Sequence, residues 1–242
     1  MDINSLYLIV IAIVGSAISL VVGFGSALIL ISASTLFYDV KWSISITTFF
    51  FLFNTINKTI AFRNEIDLNL SLKISLLSIP GVLVGVYCLF KLEPKIIYLL
   101  LGVISIAYLA LDVFKIKPKL EIGDKSIFGA GLAYGFLTGV AGTGSIIKAI
   151  VFKHINLHKE VFVATMAATA LPLNCIKIVF FVLGGLMVFS DIPIILILLL
   201  SSFLGVYLGK KFLAKISQRF FEYLVRIMLF CLSVRLLYMG LI

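Results

Sequence analysis

The sequence predicts an all-α membrane protein of about ten transmembrane segments, arranged as two inverted five-segment repeats. Three observations carry that prediction. Apolar residues make up 62% of the 242-residue chain and charged residues only 13%. A soluble fold cannot hide that much apolar surface, whereas a bilayer accepts it. Apolar runs approaching the ~20 residues that cross hydrocarbon follow one another with short polar breaks between them. Finally, the two halves share motifs at a fixed spacing.

The runs are 5–22, 26–37, 43–62, 71–90, 96–114, 126–141, 145–152, 161–182, 192–209 and 220–240. The longest polar break, Lys115 to Lys125, reads as a loop and leaves no room for a separate soluble domain. The start, Met-Asp-Ile-Asn, has no basic region and no small-residue cleavage site, so the first run is expected to stay as a span. Two runs are too short to cross as regular helices. Ser26 to Phe37 would reach only about 18 Å at ~1.5 Å per residue, and Ser145 to Phe152 less. Each follows a Gly-rich turn, Gly23-Phe24-Gly25-Ser26 or Gly142-Thr143-Gly144-Ser145. Segments 2 and 7 are therefore expected as short, broken helices beside irregular backbone that faces a cavity.

These turns lie 119 positions apart, and the same offset places Lys58 on Lys177, Phe62 on Phe181 and Ile31 on Ile150. Gly85-Val86-Tyr87 matches Gly205-Val206-Tyr207 at a spacing of 120. The chain thus reads as an internal duplication, residues 1–120 and 121–242, forming one membrane domain. Basic residues decide how the short segments count. With ten crossings, one side holds Arg63, Lys73, Lys115, Lys117, Lys119, Lys125, Lys153, Lys159, Lys210, Lys211, Lys215 and Arg219. The other holds Lys41, Lys91 and Lys95. Eight crossings split the charges far more evenly. The positive-inside rule favours ten, with both termini outside. Five segments per half inverts one repeat relative to the other, a pattern of secondary transporters.

The chemistry is expected at the two turns and the polar positions that follow them. Glycine lets a ligand approach the backbone closely. Ser26 and Ser145 stand where a helix would begin, so free N–H groups and the positive end of the dipole would point inward and favour an anion. Gly23, Gly25, Ser26, Gly142, Thr143, Gly144 and Ser145 are therefore candidate binding residues. Lys58, Lys148 and Lys177 fall within apolar runs, where a charge is costly and usually functional. The carboxylates lie in loops or near span ends, so these lysines want a mobile anion as partner; snorkelling to the interface is the plain alternative. Neutral donors surround them: Thr47, Thr48, Asn54 and Asn57, then Thr165, Thr169 and Asn174. Ordinary interhelical hydrogen bonding is the competing explanation for each.

Other classes are poorly served. His154 and His158 are four apart but lack a third ligand, and no metal site is expected. Cys88, Cys175 and Cys231 read as buried thiols. No nucleophile–base set, HExxH or P-loop occurs, so neither an enzyme nor a self-sufficient ATP-driven pump is indicated. The net charge of +9 reports topology rather than nucleic-acid binding, because no basic soluble face exists.

The Gly-rich turns, the stretches Thr47-Thr48 to Asn57-Lys58 and Ala164-Thr165 to Lys177, the Arg63-to-Asp67 loop and the Gly81-to-Gly85 stretch together resemble the TauE/SafE-type sulfite exporter family, also called the sulfonate uptake permeases. The resemblance covers nearly the whole chain. It implies a transporter of sulfite, sulfonates or related organic anions in a bacterial or archaeal cytoplasmic membrane, with the two turns and the polar positions after them forming the substrate site. Family turns often hold a double glycine where this chain has Ser26 and Ser145. An alternating-access carrier without cofactor is expected, its partners a small anion and the bilayer. Proton or other ion coupling and a homodimer stay open, as do an anion channel and a non-transporting scaffold.

Overall fold

The computed structural model describes residues 7, 10, 12, 13, 26–114, 124–154, 157, 159–213 and 218–242. Helices follow one another as α1 (Ser26–Ser34), α2 (Val40–Ala61), α3 (Leu68–Lys91), α4 (Pro94–Val113), α5 (Asp124–Val140), α6 (Ser145–His154), α7 (Lys159–Leu183), α8 (Ile192–Leu213) and α9 (Gln218–Leu241). Tyr7, Val10, Ala12 and Ile13 are also helical. The expected roles of Gly23 and Gly25 lie outside the described residues, as does the side chain of Ser26.

Local chemistry sets the boundaries. The Asp39 carboxylate accepts from the Lys41 and Trp42 N–H groups at 2.8 and 3.3 Å and so starts α2. Asp67 does the same for α3 through Leu70, at 2.9 Å. Pro94 opens α4, where a missing N–H costs nothing. Among the described residues, α1 has 9 residues and α6 has 10, about 15 Å at most.

By length and composition, Leu68–Lys91, Pro94–Val113 and Glu160–Leu183 can each cross a membrane. Shorter apolar helices occur at Ser126–Val140, Ile192–Leu204 and Leu229–Leu241. Large apolar side chains stay exposed along helix faces, Leu68, Leu72 and Leu76 on α3 and Ile192, Leu196, Leu200 and Leu204 on α8. The fourfold spacing draws them into continuous stripes that water would not tolerate and lipid would. Cys175 and Cys231 belong to such exposed faces, and Cys88 is half-buried; all three are free. The expectation that they are buried thiols is thus corrected, because an apolar position in this fold faces lipid as readily as core.

The interior is organised by three helix pairings. The closest joins α3 and α5 through glycine. A Cβ at Gly81 would strike the Leu132 carbonyl, one at Gly85 the Phe136 carbonyl, and one at Gly139 the Val82 carbonyl at 2.6 Å. Small residues at four-residue intervals let the two backbones touch. Next, α4 lies antiparallel to α9. Gly102 meets Leu237, Gly240 meets Leu99, and Arg226 Nε donates to Asp112 Oδ2 at 2.7 Å. Finally, α2 runs antiparallel to α7. Ser45, near the start of α2, donates to Met187 Sδ just beyond α7. Past the far end of α2, the Asp67 N–H donates to Thr165 Oγ1 near the start of α7.

Candidate functional site

Between α2, α5, α6 and α7 lies a cavity of ≈ 100 Å³. That volume holds a few waters or one small polyatomic ion and falls below the ~300 Å³ of a drug-sized pocket. Its floor is the turn that starts α6. Gly142 has φ 76°, the left-handed region that glycine adopts without penalty, and a Cβ there would come within 2.8 Å of Ile31 Cδ1. At Gly144 a Cβ would lie 2.5 Å from the Tyr134 carbonyl. Only glycine lets the turn press this close to α5. Thr143 Oγ1 and Ser145 Oγ share a hydrogen bond of 3.0 Å across it. The N–H groups that open a helix have no acceptor within it; in α6 that of Ile147 bonds the Gly144 carbonyl just ahead of the helix, at 3.0 Å.

Two lysines line the cavity. Lys58 reaches it from the last turn of α2. Lys148, one turn into α6, is 4% exposed; its Nζ donates to the Met166 carbonyl at 2.6 Å and to Tyr134 Oη at 3.1 Å, and lies 4.7 Å from the Tyr134 ring centre. Lys148 thus rests against neutral oxygens and a π face. No carboxylate lines the cavity among the described residues. Asn54 and Asn174 add amides from α2 and α7, and Asn54 Nδ2 is buried without a hydrogen-bond partner. Phe51, Val163, Met166, Ala167 and Ala170 add apolar surface to the lining.

Of the residues singled out in the sequence, the cavity brings together Asn54, Lys58, Gly142, Thr143, Gly144, Ser145, Lys148 and Asn174. Lys177 is fully buried just behind the turn, where its Nζ donates to the Gly142 carbonyl at 3.4 Å. Thr47 and Thr48 are fully buried off the cavity, their hydroxyls donating to the Ser43 and Ile44 carbonyls of their own helix at 2.7 and 2.8 Å. Thr165 and Thr169 face α3: Thr165 accepts from the Asp67 N–H, and the Thr169 carbonyl accepts from Ser75 at 3.2 Å. Asn57 is half-buried and outside the lining. Sequence reasoning missed Tyr134 and Thr138, which line the cavity from α5. Their spacing held a signal, since Tyr134, Thr138 and Gly142 recur every fourth residue toward the turn. From α9, Arg235 donates to the Thr35 carbonyl at 3.1 Å and its hydroxyl at 3.2 Å, and so closes the C-terminal end of α1.

A family model described as Sulfite exporter TauE/SafE matches residues 7–236. The chain belongs to that family. TauE/SafE proteins are transporters, and with its apolar helices this member is an integral membrane protein. No curated protein and no solved structure gives a significant match. In this TauE/SafE chain the small interior cavity bears two lysines and, among its described lining, no carboxylate, which gives it a positive character.

Proposed function

We propose that this chain is a secondary transporter for a small sulfur oxyanion or short sulfonate, working by alternating access. One observation carries the reading. The ≈ 100 Å³ cavity presents Lys58, Lys148 and the amide of Asn54 to a space with no carboxylate among its described lining. Buried cations beside a space whose described lining holds no carboxylate favour a mobile anion there, and the volume suits an ion of a few heavy atoms. The first turn of α6 adds N–H groups on the same side.

Ten segments in two inverted five-segment repeats, residues 1–120 and 121–242, supply the machinery in this reading, with both termini outside a bacterial or archaeal cytoplasmic membrane. Two helix pairings support it. Segments equivalent under the duplication, α2 with α7 and α4 with α9, pack against each other in opposite directions. A twofold axis in the membrane plane produces that arrangement. No catalytic step is assigned, and a proton or other coupling ion is a further element for test.

The experiment is uptake into proteoliposomes of sulfite, a panel of short sulfonates and small carboxylates, with and without an imposed proton gradient. Saturable uptake of one sulfur anion, competed by its analogues, is the expected result. Folded, inserted protein that moves none of the sulfur anions refutes the proposed substrate class.

A further inference from the structure

The cavity sits astride the internal duplication but is not symmetric about it. At the 119-residue offset, Phe51 corresponds to Ala170 and Thr55 to Asn174, and all four line the cavity. The axis relating the repeats therefore passes through the site. Beyond these shared residues, the walls extend one way only. Val163, Met166 and Ala167, in the first half of α7, line the cavity. Their counterparts in α2, Ile44, Thr47 and Thr48, are fully buried. Lys58 lines the cavity, whereas its counterpart Lys177 is packed behind the α6 turn on the Gly142 carbonyl.

What closes the second direction is visible. A Cβ at Gly142 would lie 2.8 Å from Ile31 Cδ1 and 3.1 Å from Ile44 Cγ2, so the turn rests directly on α1 and on the buried wall of α2. Lys177 holds it there. We propose that the protein has a second, opposite-facing binding cavity walled by Ile44, Thr47 and Thr48, in which Lys177 replaces Lys58 as the cation facing the anion. Moving the Gly142 turn off Ile44 uncovers that wall and frees Lys177 from the carbonyl it now bonds. The threonine hydroxyls, now spent on their own helix, then face the ligand. Lys148 has no equivalent, since its counterpart is Ile29.

This inference rests on the transporter reading, and labelling separates the two. Cys88, Cys175 and Cys231 are replaced by Ser, and single cysteines are placed by Ala167→Cys, Thr48→Cys and Ile44→Cys in vesicles of known orientation. A charged, membrane-impermeant thiol reagent is added to one face or the other. Ala167→Cys is expected to react from the face that carries Arg63 and Lys159, and Thr48→Cys from the face that carries Lys41. The second reaction is slower by roughly ten- to a thousandfold, because minor states are commonly populated at ~0.1–10%. Ile44→Cys is expected to behave like Thr48→Cys and guards against one failed variant. Ser105→Cys, buried on α4 away from the site, sets the background. Thr48→Cys and Ile44→Cys reacting only from the same face as Ala167→Cys, or no faster than Ser105→Cys, overturns the second cavity. Because labelling needs no substrate, a failed sulfite assay would strike the substrate class and leave this result standing.

Discussion

Replacing Lys148 by Met tests whether its charge binds the substrate. The amine sits within hydrogen-bond reach of the Met166 carbonyl and Tyr134 Oη, and it lines the cavity. An anion seated ~4 Å from it gains about 4 kcal/mol at an effective dielectric of ~20. Lys58 and the amides keep part of that attraction in the variant, leaving a loss of about 2–3 kcal/mol. At 1.4 kcal/mol per decade, this is roughly a 30- to 150-fold rise in KM. The fold should survive. Met has similar length and removes the cost of burying a charge, which offsets part of the contacts it loses. Lost with the amine are the cation–π contact with Tyr134, about 0.5–2 kcal/mol, and the two charge-assisted hydrogen bonds to the Met166 carbonyl and Tyr134 Oη, about 1.5–3 kcal/mol each. The assay is concentration-dependent uptake in proteoliposomes beside thermal unfolding in detergent. A KM within about threefold of wild type, from protein that unfolds cooperatively in detergent, would refute the electrostatic reasoning.

Asn54→Leu removes a buried amide nitrogen that has no hydrogen-bond partner. The Tm should hold or rise while affinity falls by about tenfold, because an unsatisfied donor costs stability until a ligand meets it; a lower Tm with unchanged affinity would contradict this. Gly142→Ala forces a Cβ into the left-handed region at φ 76° and against Ile31, so a destabilisation of about 1–3 kcal/mol is expected, read as a lower detergent Tm. Arg235→Met leaves the Thr35 carbonyl and hydroxyl without their shared donor. About 1–2 kcal/mol is lost, visible as faster proteolysis at the loop after α1, and Arg235→Lys restores part of it.

Much of the helix layout was legible because hydropathy reports burial in lipid or core without needing to know which. The run 71–90 became Leu68–Lys91, and 192–209 became Ile192–Leu213. The Gly142 turn was legible too, since a glycine pair before a short apolar run has few other uses. What a one-dimensional reading could not supply was the direction of a side chain within a helix. Thr48 and Lys58 lie on the same helix, yet one hydroxyl returns to its own backbone and one amine reaches the cavity. Thr165 and Thr169 look equally placed for a ligand in sequence, but α3 takes them. Arg235 was undecidable because its partner, Thr35, lies 200 positions away. The cavity's apolar wall was invisible for a simpler reason: Met166 and Ala167 are ordinary residues in an apolar run.

The glycine contact between α3 and α5 also bears on how the chain is made. Helix α3 can enter a bilayer on its own composition, and it leaves the ribosome long before α5. Until α5 arrives, Gly81 and Gly85 face lipid that cannot fill the space against a bare backbone. Short helix α1 stands in a similar position, because its C-terminal carbonyl waits for Arg235 near the end of synthesis. Early segments are thus inserted in provisional surroundings and acquire their final neighbours only when the second half is threaded in. Separating the halves would leave two sets of inserted helices, each missing the surface that the other was shaped to cover.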